Sequence, residues 1–347
     1  MQYIDEIKQQ PEALRDLTRH YFIDSGRERA MRETLQKEAF DQVIFVGMGS
    51  SLYAAYTAAG FLREKGVRAF AMECGEFLYH DAGIVDERTL VVAVSQSGKS
   101  PEVVGLCREY AAKKDWKLAV VTNYPENTLY QYGQYKFLIY AGEEFTTASK
   151  TYTNTIAALL YLSCLLADWD ESAFQNLYRD LLDAADKMEE LIESSVPEIE
   201  SMCESVKERS AIYAVGSGPS YSSASYAEMI MEEAGKIYAS RFTCNQFLHG
   251  PVELINESFC TVLFDFYEKS RPAVEKIIKL VGENGGSILL ITNRKEKYQY
   301  EKVHQLYIEF DNPCLSPLVE IIPVELIVNQ LGLYKGLKPG RLKWVEK

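Results

Sequence analysis

The amino-acid sequence predicts an α/β protein made of two tandem copies of one unit, each a parallel sheet flanked by helices. Short β-branched and apolar runs alternate with helical stretches, and the runs are almost continuously apolar, as in strands that are buried on both faces. The same pattern restarts in the second half of the chain. Ligands of such sheets bind beyond the carboxyl ends of the strands, so the loops that follow the strands are candidate binding sites.

The predicted elements follow in order along the chain. Residues 5 to about 40 are charged and periodic and predict one or two lead-in helices. The strand candidates of the first copy are 43–46, 69–72, 90–94, 118–121 and 137–140. A long helical connection is expected from 171 to about 207, with Pro197 inside it. The second copy begins at 211–215, and its later strand candidates are 260–264, 287–292 and 306–310.

The two halves match at a constant offset of 169 positions without a gap. The matched pairs are Gly47 with Gly216, Gly49 with Gly218, Ser51 with Ser220, Glu64 with Glu233, Gly66 with Gly235, and His80 with His249. Chance would rarely place so many pairs in one register. We therefore interpret the halves as two copies of one α/β unit.

Two hydroxyl-rich loops of the first copy each follow a predicted strand and lead into a predicted helix. Their sequences are Gly47-Met48-Gly49-Ser50-Ser51 and Ser95-Gln96-Ser97-Gly98-Lys99-Ser100. Hydroxyls and backbone N–H groups in such loops can converge on one anion, and each charge-assisted bond contributes roughly 1.5–3 kcal/mol. The pair predicts a phosphate site built mostly without cations. The alternative is that these serines only cap helices and form turns.

The positions where the two copies differ are the most informative. At an offset of 170, Ser95-Gln96-Ser97 becomes Asp265-Phe266-Tyr267, and a carboxylate there would repel a phosphate dianion. The second copy instead carries a candidate acid and base, Glu233 within an apolar helix and His249 before a Gly-Pro turn. The plainer interpretations are a solvated glutamate and a histidine hydrogen-bonded to a backbone carbonyl.

Composition and charge argue against several classes of protein. The 347 residues carry 50 acidic and 37 basic side chains, a net charge of −13, which disfavours nucleic acid as a partner. No eighteen-residue apolar run and no signal-peptide pattern is present, so no membrane association is expected. Seven scattered cysteines without a C-x-x-C pair are typical of reduced, cytoplasmic proteins, and the four histidines lack metal-ligand spacing. We expect a cytoplasmic protein with no metal and no cofactor.

These motifs resemble those of the sugar isomerase (SIS) domain family in its double-domain form, over roughly residues 35–347. Gly49-Ser50-Ser51 is similar to the family's Gly-Thr-Ser loop, and the loop at 95–100 is similar to its Ser-Gln-Ser-Gly-Glu-Thr loop. His249-Gly250-Pro251 matches a further motif. Within the family, the chain resembles the isomerase half of glucosamine-6-phosphate synthase and the fructosamine phosphate deglycases.

The resemblance implies two tandem three-layer α/β/α domains with mostly parallel five-stranded sheets of the flavodoxin-like type. The domain boundaries that we expect divide the chain into five segments. They are a helical lead-in at 1–34, a first domain with the phosphate site at 35–180, a helical linker at 181–207, a second domain with the acid and base groups at 208–335, and a tail over the active site at 336–347.

The resemblance also implies roles for individual residues. The phosphate-binding residues would be Ser50, Ser51, Ser95, Gln96, Ser97 and Ser100, and the sugar-binding residues Gly49, Thr147 and Ala148. Glu233 would move a proton between C1 and C2, His249 would open the sugar ring, and Lys343 of the tail would lie near the substrate carbonyl. Because the histidine is often contributed by a partner subunit in the family, a homodimer with the active site at the subunit interface is expected.

Departures from the synthase pattern guide the choice of reaction. Ile230 stands three residues before Glu233, where the synthases have a lysine, and Tyr226 and Gln246 stand where glutamates are expected. No glutaminase segment is expected ahead of the first domain. We therefore expect a deglycase or deaminase-isomerase that acts on a 6-phosphorylated ketosamine or amino sugar, of the fructosamine 6-phosphate or glucosamine 6-phosphate type. The reaction would pass through ring opening and an enaminol or enediol.

Three alternatives stay open. One is a synthase-like aldose-ketose isomerase without a glutaminase, and another is a phosphosugar-binding regulator without catalytic activity. The third is a dinucleotide site, suggested by Gly47-x-Gly49 and by Glu73 after the second strand. Leu52 takes the place of the third glycine in that fingerprint, so the fingerprint is incomplete.

Overall fold

The computed structural model describes residues 1–23, 34–35, 38–111, 116–167 and 170–344. The chain divides into two compact units, and each unit contains one five-stranded sheet. The first-sheet unit comprises Gln10–Glu144 and Ser149–Ala185. The second-sheet unit comprises Met1–Gln9, Phe145–Ala148 and Asp186–Lys347.

The first sheet is parallel throughout, and its strand order is β2-β1-β3-β4-β5. Its strands are β1 Gln42–Gly47, β2 Arg68–Glu73, β3 Thr89–Val94, β4 Lys117–Thr122 and β5 Tyr135–Leu138. The sequence located β1 to β4 to within one residue at each end. The predicted range 137–140 was too late for β5, because Tyr140 has a φ of 47° and the chain has already left the sheet there.

The second sheet repeats this order, as β7-β6-β8-β9-β10, and is also parallel. Its strands are β6 Ala211–Val215, β7 Tyr238–Phe242, β8 Cys260–Asp265, β9 Ser287–Thr292 and β10 Val303–Tyr307. The predictions missed β7 and placed β10 three residues too late. Both are edge strands with mostly half-buried or exposed residues, so their hydrophobic signal is weak.

The helices of eleven residues or more, together with one short helix after β4, account for most of the remaining described chain. They are α1 Tyr3–Phe22, α2 Ser50–Glu64, α3 Pro101–Ala111, α4 Thr128–Tyr132, α5 Lys150–Leu166, α6 Glu171–Ser194, α7 Val196–Val206, α8 Ser220–Glu233, α9 Arg271–Glu283 and α10 Ser316–Tyr334. The predicted long connection is two helices, because α6 ends before Ser195 and α7 begins after it. Pro197 lies in the first turn of α7, where its missing N–H costs nothing.

Helix α10 is the apolar core helix of the second-sheet unit. Among the described residues it is the one helix long and apolar enough to cross a membrane by composition alone, but 83% of its apolar window is buried inside the protein. It packs against α8, the helix that ends at Glu233. The position of that glutamate therefore depends on the contact between α8 and α10.

A buried carboxyl group joins these two helices. Glu320 of α10 is fully buried, and it accepts hydrogen bonds from the hydroxyls of Ser220 (3.0 Å) and Ser223 (2.5 Å) of α8. Burial raises the pKa of Glu320 to about 7, and the serine hydroxyls offset this effect only in part. The α8–α10 contact is therefore most favourable when Glu320 is neutral.

We expect Glu320→Gln to stabilise the protein at alkaline pH. Because the folded-state pKa is raised above the unfolded value, the stability linked to this group is fully present below about pH 4.5 and is lost as the pH rises through about 7. Glutamine keeps a neutral hydrogen-bonding group and removes the titration. The variant should exceed the wild type by on the order of 2 kcal/mol in free energy of unfolding at pH 8, and the gap should close towards pH 5.

Urea titrations across this pH range would measure the difference. Glu301→Gln, at an exposed position, is the matched control and should follow the wild type at every pH. Parallel stability curves for the wild type and Glu320→Gln would contradict the prediction.

Candidate functional site

The two hydroxyl-rich loops leave the first sheet side by side. Strands β1 and β3 are neighbours, and Gly47 at the end of β1 pairs with Val94 at the end of β3. The strand order reverses between β1 and β3, which makes this edge the crevice where sheets of this kind bind ligands. The sequence-predicted phosphate residues therefore follow two adjacent strand ends.

The first loop turns sharply into α2. A Cβ atom on Gly47 would lie 3.1 Å from both the Leu52 nitrogen and the Val94 oxygen, so a larger residue would push the loop away from β3. Gly49 precedes α2 with a φ of 51° and brings no side chain to the N–H groups of the first turn. Ser50 is half-buried and Ser51 is buried at this helix start.

The second loop is ordered by hydrogen bonds among its own residues. The hydroxyls of Ser95 and Ser100 are 3.0 Å apart, and the Ser97 hydroxyl accepts from the Lys99 N–H at 3.2 Å. Gly98 has a φ of 64°, and a Cβ atom there would lie 2.1 Å from the Asn127 side chain. Ser97 is half-buried, and Ser100 lies directly before α3.

Two asparagines that the sequence analysis missed hold this edge. The Asn127 side chain donates to the Ser97 carbonyl at 3.2 Å, and the Asn123 side chain donates to the Gly142 carbonyl at 2.7 Å. The Asn123 N–H also donates to the Gln96 carbonyl at 3.0 Å. The available signals were that Asn123 directly follows β4 and that Asn127 stands before α4, the preferred position for a helix cap.

The equivalent edge of the second sheet is filled by the protein's own side chains. Asp265 at the end of β8 is buried and accepts from the Arg294 guanidinium at 3.0 Å, which in turn donates to Glu268 at 2.7 Å. Burial raises the pKa of Asp265, although Arg294 opposes the shift. The Tyr267 ring lies against Gly218, where a Cβ atom would be 2.6 Å from a ring carbon. The residues that directly follow β8 therefore offer no serine to an anion, and the serines after β6 bind within the protein, since Ser217 accepts from the Cys244 N–H and Ser220 donates to Glu320.

Glu233 lies at the end of α8, within the second-sheet unit. Its carboxylate accepts a hydrogen bond from the Thr147 hydroxyl, and the Thr147 N–H donates to the Gly340 carbonyl at 3.1 Å. The structure therefore brings together three parts of the predicted reaction centre: the glutamate, the sugar-binding loop and the C-terminal tail.

The segment Phe145–Ala148 is held at every residue. Buried Glu6 accepts from the N–H groups of Phe145 (2.5 Å) and Thr146 (3.2 Å). The Ala148 carbonyl accepts from the hydroxyl of Tyr226, which is buried and stands two turns before Glu233 on α8. Together with the bond from Thr147 to Glu233, these contacts fix the segment against α8.

His249 and Lys343 are placed differently from Glu233. The His249 side chain is exposed. Within the described part of the second-sheet unit, it makes no hydrogen bond with Glu233. Lys343 is exposed, and burial together with the charge of Lys343 lowers the pKa of Lys236.

Three of the buried cysteines are poor nucleophiles near neutral pH. Burial raises the pKa values of Cys74, Cys107 and Cys203 to about 12, so these thiols stay protonated near neutral pH. Within the described ranges, no group of three His, Cys, Asp or Glu side chains is arranged to hold a metal ion.

The chain matches known proteins along almost its whole length. It is 26% identical over 348 residues to glutamine–fructose-6-phosphate aminotransferase [isomerizing] of Thermococcus kodakarensis and 25% identical over 354 residues to that of Streptococcus pneumoniae. These alignments cover 97% and 98% of this chain but 56% and 57% of the relatives, so the chain spans little more than half of their length.

Solved structures show the same fold. The C-terminal domain of glucosamine-fructose-6-phosphate aminotransferase from Francisella tularensis superposes with a TM-score of 0.89 at 22% identity and covers 98% of both chains. Tagatose-6-phosphate ketose/aldose isomerase from Escherichia coli superposes with a TM-score of 0.81 at 16% identity and covers 97% of this chain and 94% of that chain.

The family model of the SIS domain matches twice, at residues 38–165 and 206–332. The two matches coincide with the two sheets and confirm the resemblance drawn from the loop motifs. The chain therefore belongs to the SIS domain family and carries two copies of the domain.

Proposed function

We propose that this protein is an enzyme that acts on a 6-phosphorylated ketosamine or amino sugar and releases an amine, an amino acid or ammonia. The observation that carries the proposal is the pair of hydroxyl-rich loops at the adjacent ends of β1 and β3. Loops of this kind bind phosphate through hydroxyls and N–H groups, which suits a protein with a net charge of −13.

The similar proteins support a phosphosugar substrate. Their names describe an aminotransferase for fructose 6-phosphate, a deaminase for glucosamine 6-phosphate in Thermotoga maritima, and an isomerase for tagatose 6-phosphate. A sugar 6-phosphate is common to all three names. The departures at Ile230, Tyr226 and Gln246 favour breakdown of an amino-substituted sugar phosphate over its synthesis.

Glu233 is the proposed proton carrier. In a ketosamine, its carboxylate would take a proton from C1 as the C2 carbonyl oxygen gains a proton, which gives an enaminol. It would then return the proton to C2 as the nitrogen loses its N–H proton. Water would then hydrolyse the resulting C1 imine and release the amine. The Thr147 hydroxyl donates to one carboxylate oxygen and so orients the group for the transfer.

His249 and Lys343 complete the proposal. An imidazole can move the proton between the anomeric hydroxyl and the ring oxygen when the sugar opens. Because His249 is exposed, we propose that it serves an active site at the interface of a homodimer. Lys343 belongs to the tail, and its charge contributes to the lowered pKa of Lys236. We propose that it lies near the substrate carbonyl.

We expect the double substitution Ser50→Ala with Ser97→Ala to weaken binding of a sugar 6-phosphate at least tenfold. Two charge-assisted hydrogen bonds would be lost, each contributing roughly 1.5–3 kcal/mol. Isothermal titration calorimetry with glucose 6-phosphate would measure the loss. Ser194→Ala, at an exposed position on α6, is the control and should bind as the wild type does. Unchanged affinity in the double variant would show that these loops do not bind the phosphate.

We expect Glu233→Gln to keep its affinity for the phosphosugar and to lose turnover by about 10²–10⁴-fold, because glutamine cannot carry the proton. Mass spectrometry of the products from a panel of 6-phosphorylated ketosamines and amino sugars would identify the substrate and then measure the rate. Glu232→Gln is the matched control, since Glu232 is the exposed neighbour on the same helix. A near wild-type rate in Glu233→Gln would show that another group moves the proton.

A further inference from the structure

Lys236 follows α8 in an unusual backbone conformation. Its φ of 50° lies in the left-handed region, which favours glycine, and the described residues contain one other non-glycine residue with a positive φ, Tyr140. Lys236 is also the one basic residue in the sequence between 220 and 240. A lysine in this conformation indicates that interactions of its side chain offset the backbone strain.

The Lys236 ammonium group connects two parts of the second-sheet unit. It donates to the carbonyl of Glu233 at the end of α8 and to the carbonyl of Arg341 in the C-terminal tail, the latter at 3.1 Å. The last carbonyls of a helix lack partners within the helix, so a cation there is favourable. The same ammonium group thus satisfies the helix end and binds the tail.

Lys236 binds the tail at Arg341, and residues before and after Arg341 belong to or contact the predicted reaction centre. Gly340, one residue before Arg341, accepts from the N–H of Thr147, whose hydroxyl binds the Glu233 carboxylate. Lys343 lies two residues after Arg341 and close enough to affect the titration of Lys236. Loss of the Lys236 contact would free the tail between these two points.

We propose that Lys236 is a positioning residue that fixes the tail segment 337–344 to the end of α8 and so sets Thr147 and Lys343 relative to Glu233. The role of Lys236 in holding the tail stands on the hydrogen bonds alone. Its role in turnover rests on the proposed function of Glu233. The two parts need separate measurements.

Hydrogen–deuterium exchange tests whether Lys236 holds the tail. Lys236→Met removes the ammonium group, and Lys236→Gly removes it while relaxing the backbone, so Lys236→Gly should fold at least as well as the wild type. Both variants should raise the exchange rates of amides in 337–344 and of the Thr147 amide about tenfold or more. Lys236→Arg, which keeps the charge, should restore slow exchange in part.

Lys338→Met is the matched control, because it removes the same charge from an exposed position in the same segment. Its exchange pattern should equal that of the wild type. Wild-type exchange in both Lys236→Met and Lys236→Gly would overturn the proposal.

Kinetics on the substrate found by the product screen test the second part. We expect Lys236→Gly to lower kcat about tenfold or more while its affinity for inorganic phosphate, a probe of the serine loops, stays unchanged. A loosened tail with unchanged kcat would overturn the positioning role. If the wild type turns over no member of the panel, the proposed function fails, and the exchange result still decides whether Lys236 holds the tail.

Discussion

The parallel pairing of the first and third strands of each repeat is the constraint on which the arrangement of both units depends. In the first sheet it aligns Gly47 with Val94, and in the second it aligns Val215 with Leu263. Each pairing brings two loops to one edge of a sheet, at the point where the strand order reverses. What each edge can bind is then decided by the few residues that follow the strands.

The two copies use this shared geometry in opposite ways. After β3, the chain has small hydroxyl residues and a glycine with a positive φ, so the loop stays close to α3 and leaves polar groups at the edge. After β8, the buried pair of Asp265 and Arg294 and the ring of Tyr267 fill the corresponding space. A duplicated fold thus keeps one candidate anion site and closes the other with its own side chains.

Helix α8 organises the second-sheet unit around Glu233. Tyr226 binds the Ala148 carbonyl, Glu233 binds the Thr147 hydroxyl, and Lys236, just beyond the helix, binds the tail. The helix is in turn held against α10 through hydrogen bonds from Ser220 and Ser223 to the buried carboxyl group of Glu320. The proton transfer proposed for Glu233 needs a carboxylate in a fixed position, and these contacts supply it.

The sequence by itself determined the α/β class, the duplication, the central strands and the two serine loops, because these features rest on short-range periodicity and on residues close together in the chain. It missed the edge strand β7 because half-buried strands give weak patterns. Only the tertiary structure decided which polar groups meet: Thr147 with Glu233, 86 positions apart, and Lys236 with Arg341, 105 apart. Such pairs depend on how distant segments pack, and no local pattern of residues encodes that.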